Sequence, residues 1–276
     1  MPGTIATPES PVLEKRDHPT SRFARLRPGA DLAVFVEHFW IVQWDLRDPR
    51  VQETLPHPSV HLVIEHGRSG VWGIVKGKFS RLLEGEGRAF GIKFRPGGFY
   101  PFIRSPVSHL TNRVVPVPEL FGAAGRAYEN AILARHDDAD MVATTEAFLR
   151  SLSPARDAAA EAMASLVDCV ATDRGITTVD ALVARAGYSK RTLQRLFARY
   201  IGVSPKWVIK RCRLIEVVDQ LATGQTTDWT RLAMDLGYFD QAHFIKDFKS
   251  IVGRTPGEYL RQATPIVTPK TPAQGG

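Results

Sequence analysis

A chain of 276 residues with 43% hydrophobic and 24% charged side chains is ordinary for a globular protein and long enough for two domains. This excludes a disordered tail protein, a collagen-like repeat and a disulfide mini-protein. Lys and Arg outnumber Asp and Glu by 36 to 29, a net charge of +7, so nucleic acid or an anionic surface becomes a partner to test once the charge is located.

The opening MPGTIATPESPVLEKRDHPT is polar and proline-rich, with no apolar run of signal-peptide length. Residues 1–30 therefore read as a disordered lead-in. No stretch reaches the roughly 18 apolar residues that would span a bilayer, so no membrane contact is expected. Cys169 and Cys212 are the two cysteines, too few for a secreted disulfide framework. A reducing cytoplasm is the expected compartment.

From Asp31 to Phe102, short β-branched and aromatic runs (DLAVFVEHFWIVQW, VHLVIEH, VWGIVKGKFSRLL, RAFGIKF) alternate with the turn formers RDPR, HGRSG, EGEG and RPGG. That spacing predicts a sheet meander or small barrel. From Val117 to Leu149 the texture becomes Ala-rich and helical. The expected fold class is α+β in two domains: a β-rich unit with a few helices over 31–150, a linker at 151–157, and an all-α unit over 158–262. The Pro- and Thr-rich 263–276 reads as a disordered tail.

Dividing the charge by position locates it. Residues 173–262 hold 15 Lys/Arg against 9 Asp/Glu, so +6 of the +7 falls in the last third. Between Ser189 and Arg213 stand Lys190, Arg191, Arg195, Arg199, Lys206, Lys210, Arg211 and Arg213 with no acid among them. A phosphate backbone is the natural partner of such a field, and a solvated surface is the plain alternative.

The same third contains itself twice. VDALVARAGYSKRTLQRLFARYIGVSP is repeated as WTRLAMDLGYFDQAHFIKDFKSIVGRTP, with Phe197, Gly202 and Pro205 each 51 residues before Phe248, Gly253 and Pro256. Gly187-Tyr188 maps to Gly237-Tyr238 at a spacing of 50, because the second copy has one extra turn residue. Each copy reads as a helix, a glycine turn and a second helix, with Ser189 and Asp240 as N-caps. This is the helix-turn-helix pattern, whose second helix enters the major groove of double-stranded DNA. Leu193, Leu196 and Phe197 face inward, leaving Lys190, Arg191, Gln194, Arg195 and Arg199 outward. Arg can pair bidentately with guanine, and Gln with adenine. In the second copy the outward set is Gln241, Ala242, Ile245, Lys246 and Lys249, with Asp240 and Asp247 beside it. It is less basic, and is expected to read more weakly or through shape and methyl groups. From Pro205 to about Ala222 the apolar spacing predicts one helix joining the copies, with Trp207 in the core. At 1.5 Å per residue it would be about 27 Å long, suited to placing two recognition helices about one DNA turn, roughly 34 Å, apart.

The segments GYSKRTLQRLFARYIGVSPKWVIKRCRL and LAMDLGYFDQAHFIKDFKSIVGRTPGEYL carry a resemblance. Residues 158–262 resemble the DNA-binding domain of the AraC/XylS family of bacterial transcription regulators. Carried over by position, the resemblance implies DNA contacts at Lys190, Arg191, Gln194 and Arg195, then at Gln241, Ala242, Ile245 and Lys246. It also implies an N-terminal domain that binds a small-molecule effector, dimerises, or both, with RNA polymerase as a further partner. HFWIVQWDL, LPHPSVHLVIEH, FGIKFRPGGFYPF and LTNRVVPVPELFG look like an uncharacterised module on some members of that family; a sugar-type cupin arm is the alternative.

An effector pocket would be lined by Trp40, Trp44, His61, Phe94, Arg95, Phe99 and Tyr100, although the aromatics serve equally as core. His57, His61, Glu65 and His66 tempt as metal ligands. Strand positions four apart lie about 13 Å apart, too far for one ion, so neither metal nor cofactor is expected. No nucleophile motif or phosphate-cradling loop supports an enzyme. A fused alkyl-transfer repair enzyme would need a reactive N-terminal cysteine, and none precedes Cys169. A regulator without any ligand, controlled by abundance or a protein partner, remains the alternative.

Overall fold

The computed structural model describes residues 12–18, 20–222, 231, 233, 234 and 236–261. Seven antiparallel strands form one sheet in the order β1-β2-β3-β6-β4-β5-β7. They are β1 (Val12–His18), β2 (Ser21–Leu26), β3 (Val36–Thr54), β4 (His61–Glu65), β5 (Gly70–Trp72), β6 (Phe79–Phe94) and β7 (Val114–Val115). The long β3–β6 pair is its spine, running from Val36↔Phe94 to Thr54↔Phe79.

One expectation is corrected here. The lead-in supplies two strands: β2 pairs with β3 from Ser21↔Trp44 to Leu26↔Phe39, and β1 pairs with β2. The segment SRFARL alternates, with Ala24 and Leu26 buried. Its Arg and Ala content disguised a strand that β3 templates.

Alternation gives the sheet two faces. Phe39, Ile41, Leu62, Ile64, Phe90 and Ile92 point into the main core. Trp40, Val42, Trp44, Val63 and Ala89 form a separate cluster on the other face. Trp40 and Trp44 can lie flat there because glycines stand opposite them. A Cβ at Gly91 would come within 2.0 Å of the Trp40 ring, and one at Gly87 within 2.2 Å of Trp44.

Helices α1 (Tyr100–Ile103), α2 (Val117–Leu133) and α3 (Asp138–Ser151) follow. After the turn at 152–157 come α4 (Ala158–Thr172), α5 (Val179–Ala186), α6 (Lys190–Leu196), α7 (Pro205–Ala222), α8 (Gln241–Val252) and α9 (Pro256–Arg261). A π-helical turn, Phe197–Ile201, extends α6. The two halves share one core: Phe94, Phe99 and Val107 belong to the same buried cluster as Met163, Leu193, Phe197 and Val208. A second core holds Leu214, Val218, Phe244, Phe248 and Ile251, and Leu55, just after β3, plugs into it. Trp207 packs against both cores, and its Nε1 donates to the Lys76 carbonyl at 3.2 Å.

Candidate nucleic-acid interface

The first turn motif is built as the repeat predicts. Gly187 ends α5 in the left-handed conformation (φ 71°), open to glycine at no steric cost. The Ser189 side chain accepts from Thr192 N at 3.2 Å and starts α6. Leu182, Leu193 and Phe197 are fully buried between the helices. In the second unit Gly237 (φ 77°) makes the turn, and Asp240 accepts from His243 N at 2.7 Å to start α8. The repeat also places Leu232 inward against Phe244 and Phe248, and that residue lies outside the described residues.

With the caps and cores fixed, Lys190, Arg191, Gln194 and Arg195 are exposed on α6, and Ala242, Lys246 and Lys249 on α8. Gln241 is half-buried, as is Ile245, which packs against the second core and offers only part of its side chain. Asp247 does not sit on the outer face as expected. It is buried and pairs with Lys210 of α7 at 2.6 Å, tying the joining helix to α8.

The basic run from 189 to 213 divides into structural and free charges, which corrects the uniform field read from the sequence. Arg213 is buried; it pairs with Glu216 at 2.5 Å and donates to the carbonyls of Val170 and Asp173 at the end of α4. Arg211 donates to the Pro56 carbonyl at 2.8 Å. Lys190 reaches Asp180 at 3.0 Å, an exposed pair worth little.

Arg199, expected to face DNA, is exposed and is also engaged by the sheet unit. Its Nε donates to the Tyr100 hydroxyl at 2.9 Å, Nη2 donates to the same oxygen, and the guanidinium lies over the Tyr100 and Tyr200 rings. The planar cation gains more from two rings and a hydroxyl than from water. Thr111 Oγ1 donates to the Gly202 carbonyl at 2.6 Å beside it. At the second unit, Glu53 of β3 bridges Lys78 at 2.5 Å and Arg254 at 2.6 Å. Sequence reasoning missed these ties, because partners so distant along the chain carry no local signal.

The seven candidate pocket residues do not converge. Trp40, Trp44 and His61 lie on the outer face of the sheet. Phe94 and Phe99 pack in the main core with ring centroids 4.8 Å apart. Arg95 donates to the Ala33 carbonyl, and Tyr100 holds Arg199. Strand alternation and the helical turn after Phe99 separate residues that are close in sequence. Only Trp44 lines the cleft of about 270 Å³ on the outer face, with Glu65, Arg81 and Arg88. There Arg81 grips Glu65 through both terminal nitrogens and lies over the Trp44 ring.

Farther along β6, around buried Lys93, a polar group is assembled. Lys93 Nζ lies 2.8 Å from Glu37 Oε1, and His38 Nδ1 lies 3.5 Å from the same oxygen. His57 Nδ1 meets Ser59 Oγ at 2.8 Å. Burial, then the Lys93 charge, pushes His57 well below the ordinary imidazole range and His61 down to about 3. Burial would raise Glu37, but His38 and Lys93 outweigh it and hold that carboxyl at about 2.

The linkage sign follows. An unfolded histidine titrates near pH 6.5, so between that value and about 3 the unfolded chain binds protons that folded His61 refuses. Stability is expected to fall as pH drops through this window, by up to about 1.4 kcal/mol per unit for each such histidine. Thermal melts from pH 7 to 4 should show Tm declining, with a shallower decline for His61→Gln. A flat profile would contradict the lowered pKa of these half-buried imidazoles.

Residues 182–262 match the family model of a helix-turn-helix domain, and residues 24–116 match a domain of unknown function, DUF6597. The chain is 33% identical over 81 residues to the regulatory protein SoxS of Salmonella typhimurium, covering 29% of this chain and 75% of SoxS. It is 32% identical over 91 residues to the RCS-specific HTH-type transcriptional activator RclR of Escherichia coli, covering 32% of each chain. Apo ToxT of Vibrio cholerae aligns over 82% of this chain and 98% of its own, with 14% identity and a TM-score of 0.36, too loose a likeness to carry an argument. The duplicated turn motif, its caps and the extent of the SoxS match together place this chain in the AraC/XylS family of helix-turn-helix transcription regulators.

Proposed function

We propose that residues 158–262 are the DNA-reading unit and residues 31–150 the controlling unit of a cytoplasmic, sequence-specific regulator that is not itself an enzyme. The observation that carries this is the exposed face of α6, where Arg191, Gln194 and Arg195 stand on a helix whose inner face and N-cap are fully committed. Arg191 and Arg195 read guanine edges, Gln194 an adenine, and Lys190 a phosphate. On α8, Gln241, Ala242, Ile245, Lys246 and Lys249 face the second groove. Arg199 leaves the contact set and joins the tie between the units.

Control passes through those ties: Tyr100–Arg199 at the first turn motif, and Glu53–Arg254 at the second. A small molecule on the outer face of the sheet, or a second copy of the chain, would act by favouring one arrangement of these contacts. RNA polymerase is the partner at the promoter. The ties equally suit a regulator without a ligand, since each is made by side chains of this chain alone. A thermal-shift screen of metabolites against the full chain separates the two: stabilisation by one chemical class supports effector control, and none across the screen supports the ligand-free reading.

Phosphate contact itself is tested by salt. The logarithm of affinity for duplex DNA should fall linearly with the logarithm of salt, by about 0.9 per phosphate engaged. A flat profile would remove the DNA-reading role assigned to α6.

A further inference from the structure

The extra turn residue of the second repeat is Phe239, and 92% of its surface is exposed. The turn around it is well fixed. Gly237 N donates to the Met234 carbonyl and Tyr238 N to the Ala233 carbonyl, both at 2.9 Å. Tyr238 takes the inward place, with its ring 5.6 Å from Phe244. Asp240 then caps α8. Phe239 is thus held outward immediately before the N-terminus of the second recognition helix, the end that meets base edges.

Its neighbours make the surface specific. At the positions where α6 presents Arg191 and Gln194, α8 presents Ala242 and half-buried Ile245. Phe239 precedes the N-cap of α8, Ala242 is exposed in its first turn, and Lys246, one turn further on, is an exposed cation suited to a phosphate. Thymine alone shows an apolar group, its C5 methyl, on the floor of the major groove, and alanine and phenylalanine are side chains that contact it.

We infer that the second helix-turn-helix reads thymine methyl groups, with Phe239 as its principal specificity residue and Ala242 beside it. This rests on the DNA-reading role proposed above. The first unit then selects by hydrogen bonding and the second by apolar contact, so the two halves of the site differ in composition.

The test removes the methyl and nothing else. The full chain enriches its site from random duplexes, and the half-site whose bases cease to matter in Arg195→Ala is the first. The site is then remade with deoxyuridine for thymidine in one half at a time. Substitution in the second half should weaken binding about 5- to 10-fold, and in the first half much less. Phe239→Ala should bind the thymidine site nearly as weakly as the unsubstituted chain binds the deoxyuridine site, and should distinguish the two much less than the unsubstituted chain does. Equal affinity for both sites, or undiminished discrimination by Phe239→Ala, overturns the inference while leaving the DNA-reading role intact; Phe239 would then serve a protein partner. Failure to enrich any duplex removes that role and this inference with it.

Discussion

Arg213→Ala is expected to cost about 3–5 kcal/mol of stability, the scale for removing one partner of a buried ion pair, and to lower Tm by on the order of 10 °C for a chain of this size. The guanidinium is 2% exposed. It joins α7 to α4 by donating to the Val170 and Asp173 carbonyls, which the end of α4 leaves without helical partners. It also neutralises Glu216. Alanine would leave the buried Val170 carbonyl without its donor and leave half-buried Glu216 with only the longer contact to Arg174 at 3.7 Å. Lysine should not rescue, since one ammonium cannot reproduce the planar fork. A thermal melt reads the outcome, and an unchanged Tm would show that α4 and α7 do not depend on this contact.

Arg195→Ala should do the reverse. The side chain is exposed on α6, so Tm should stay constant. Affinity for the enriched site should fall by about 1–3 kcal/mol, roughly 5- to 150-fold, as expected for loss of a bidentate guanine contact. Affinity for random duplexes should change little. Equal losses on both kinds of DNA would mean that Arg195 contacts phosphate rather than bases. The two arginines lie 18 residues apart in one basic run, and the contrast between them shows how differently that run is used.

The helical third was legible because its signals are local. Gly187, Ser189, Gly237 and Asp240 name the turns and caps by conformation and hydrogen bonding, and the 51-residue repeat names the motif twice. Phe239 was visible as the residue that breaks the repeat, although its exposure was not. The fate of the charges was illegible. Nothing near Arg199 predicts Tyr100, 99 residues earlier, and nothing near Lys210 predicts that Asp247 faces inward. The sheet was legible in outline from its alternating runs. Its first two strands were not, because SRFARL becomes a strand only against β3. The proposed pocket dissolved for a related reason: Phe94, Phe99 and Trp40 share a composition but not a face.

On the proposed function, α7, 18 residues and about 27 Å long, holds two recognition helices on adjacent turns of one duplex. Both cores grip this helix, and Lys210 ties it to Asp247 of α8. The direct measurement is affinity for the enriched site after about five base pairs, half a helical turn, are inserted between its halves. The second half-site would then face away from α8, and affinity should drop to that of the first half-site alone. Equal affinity for the original and spaced sites would contradict a rigid connector reading both halves at once.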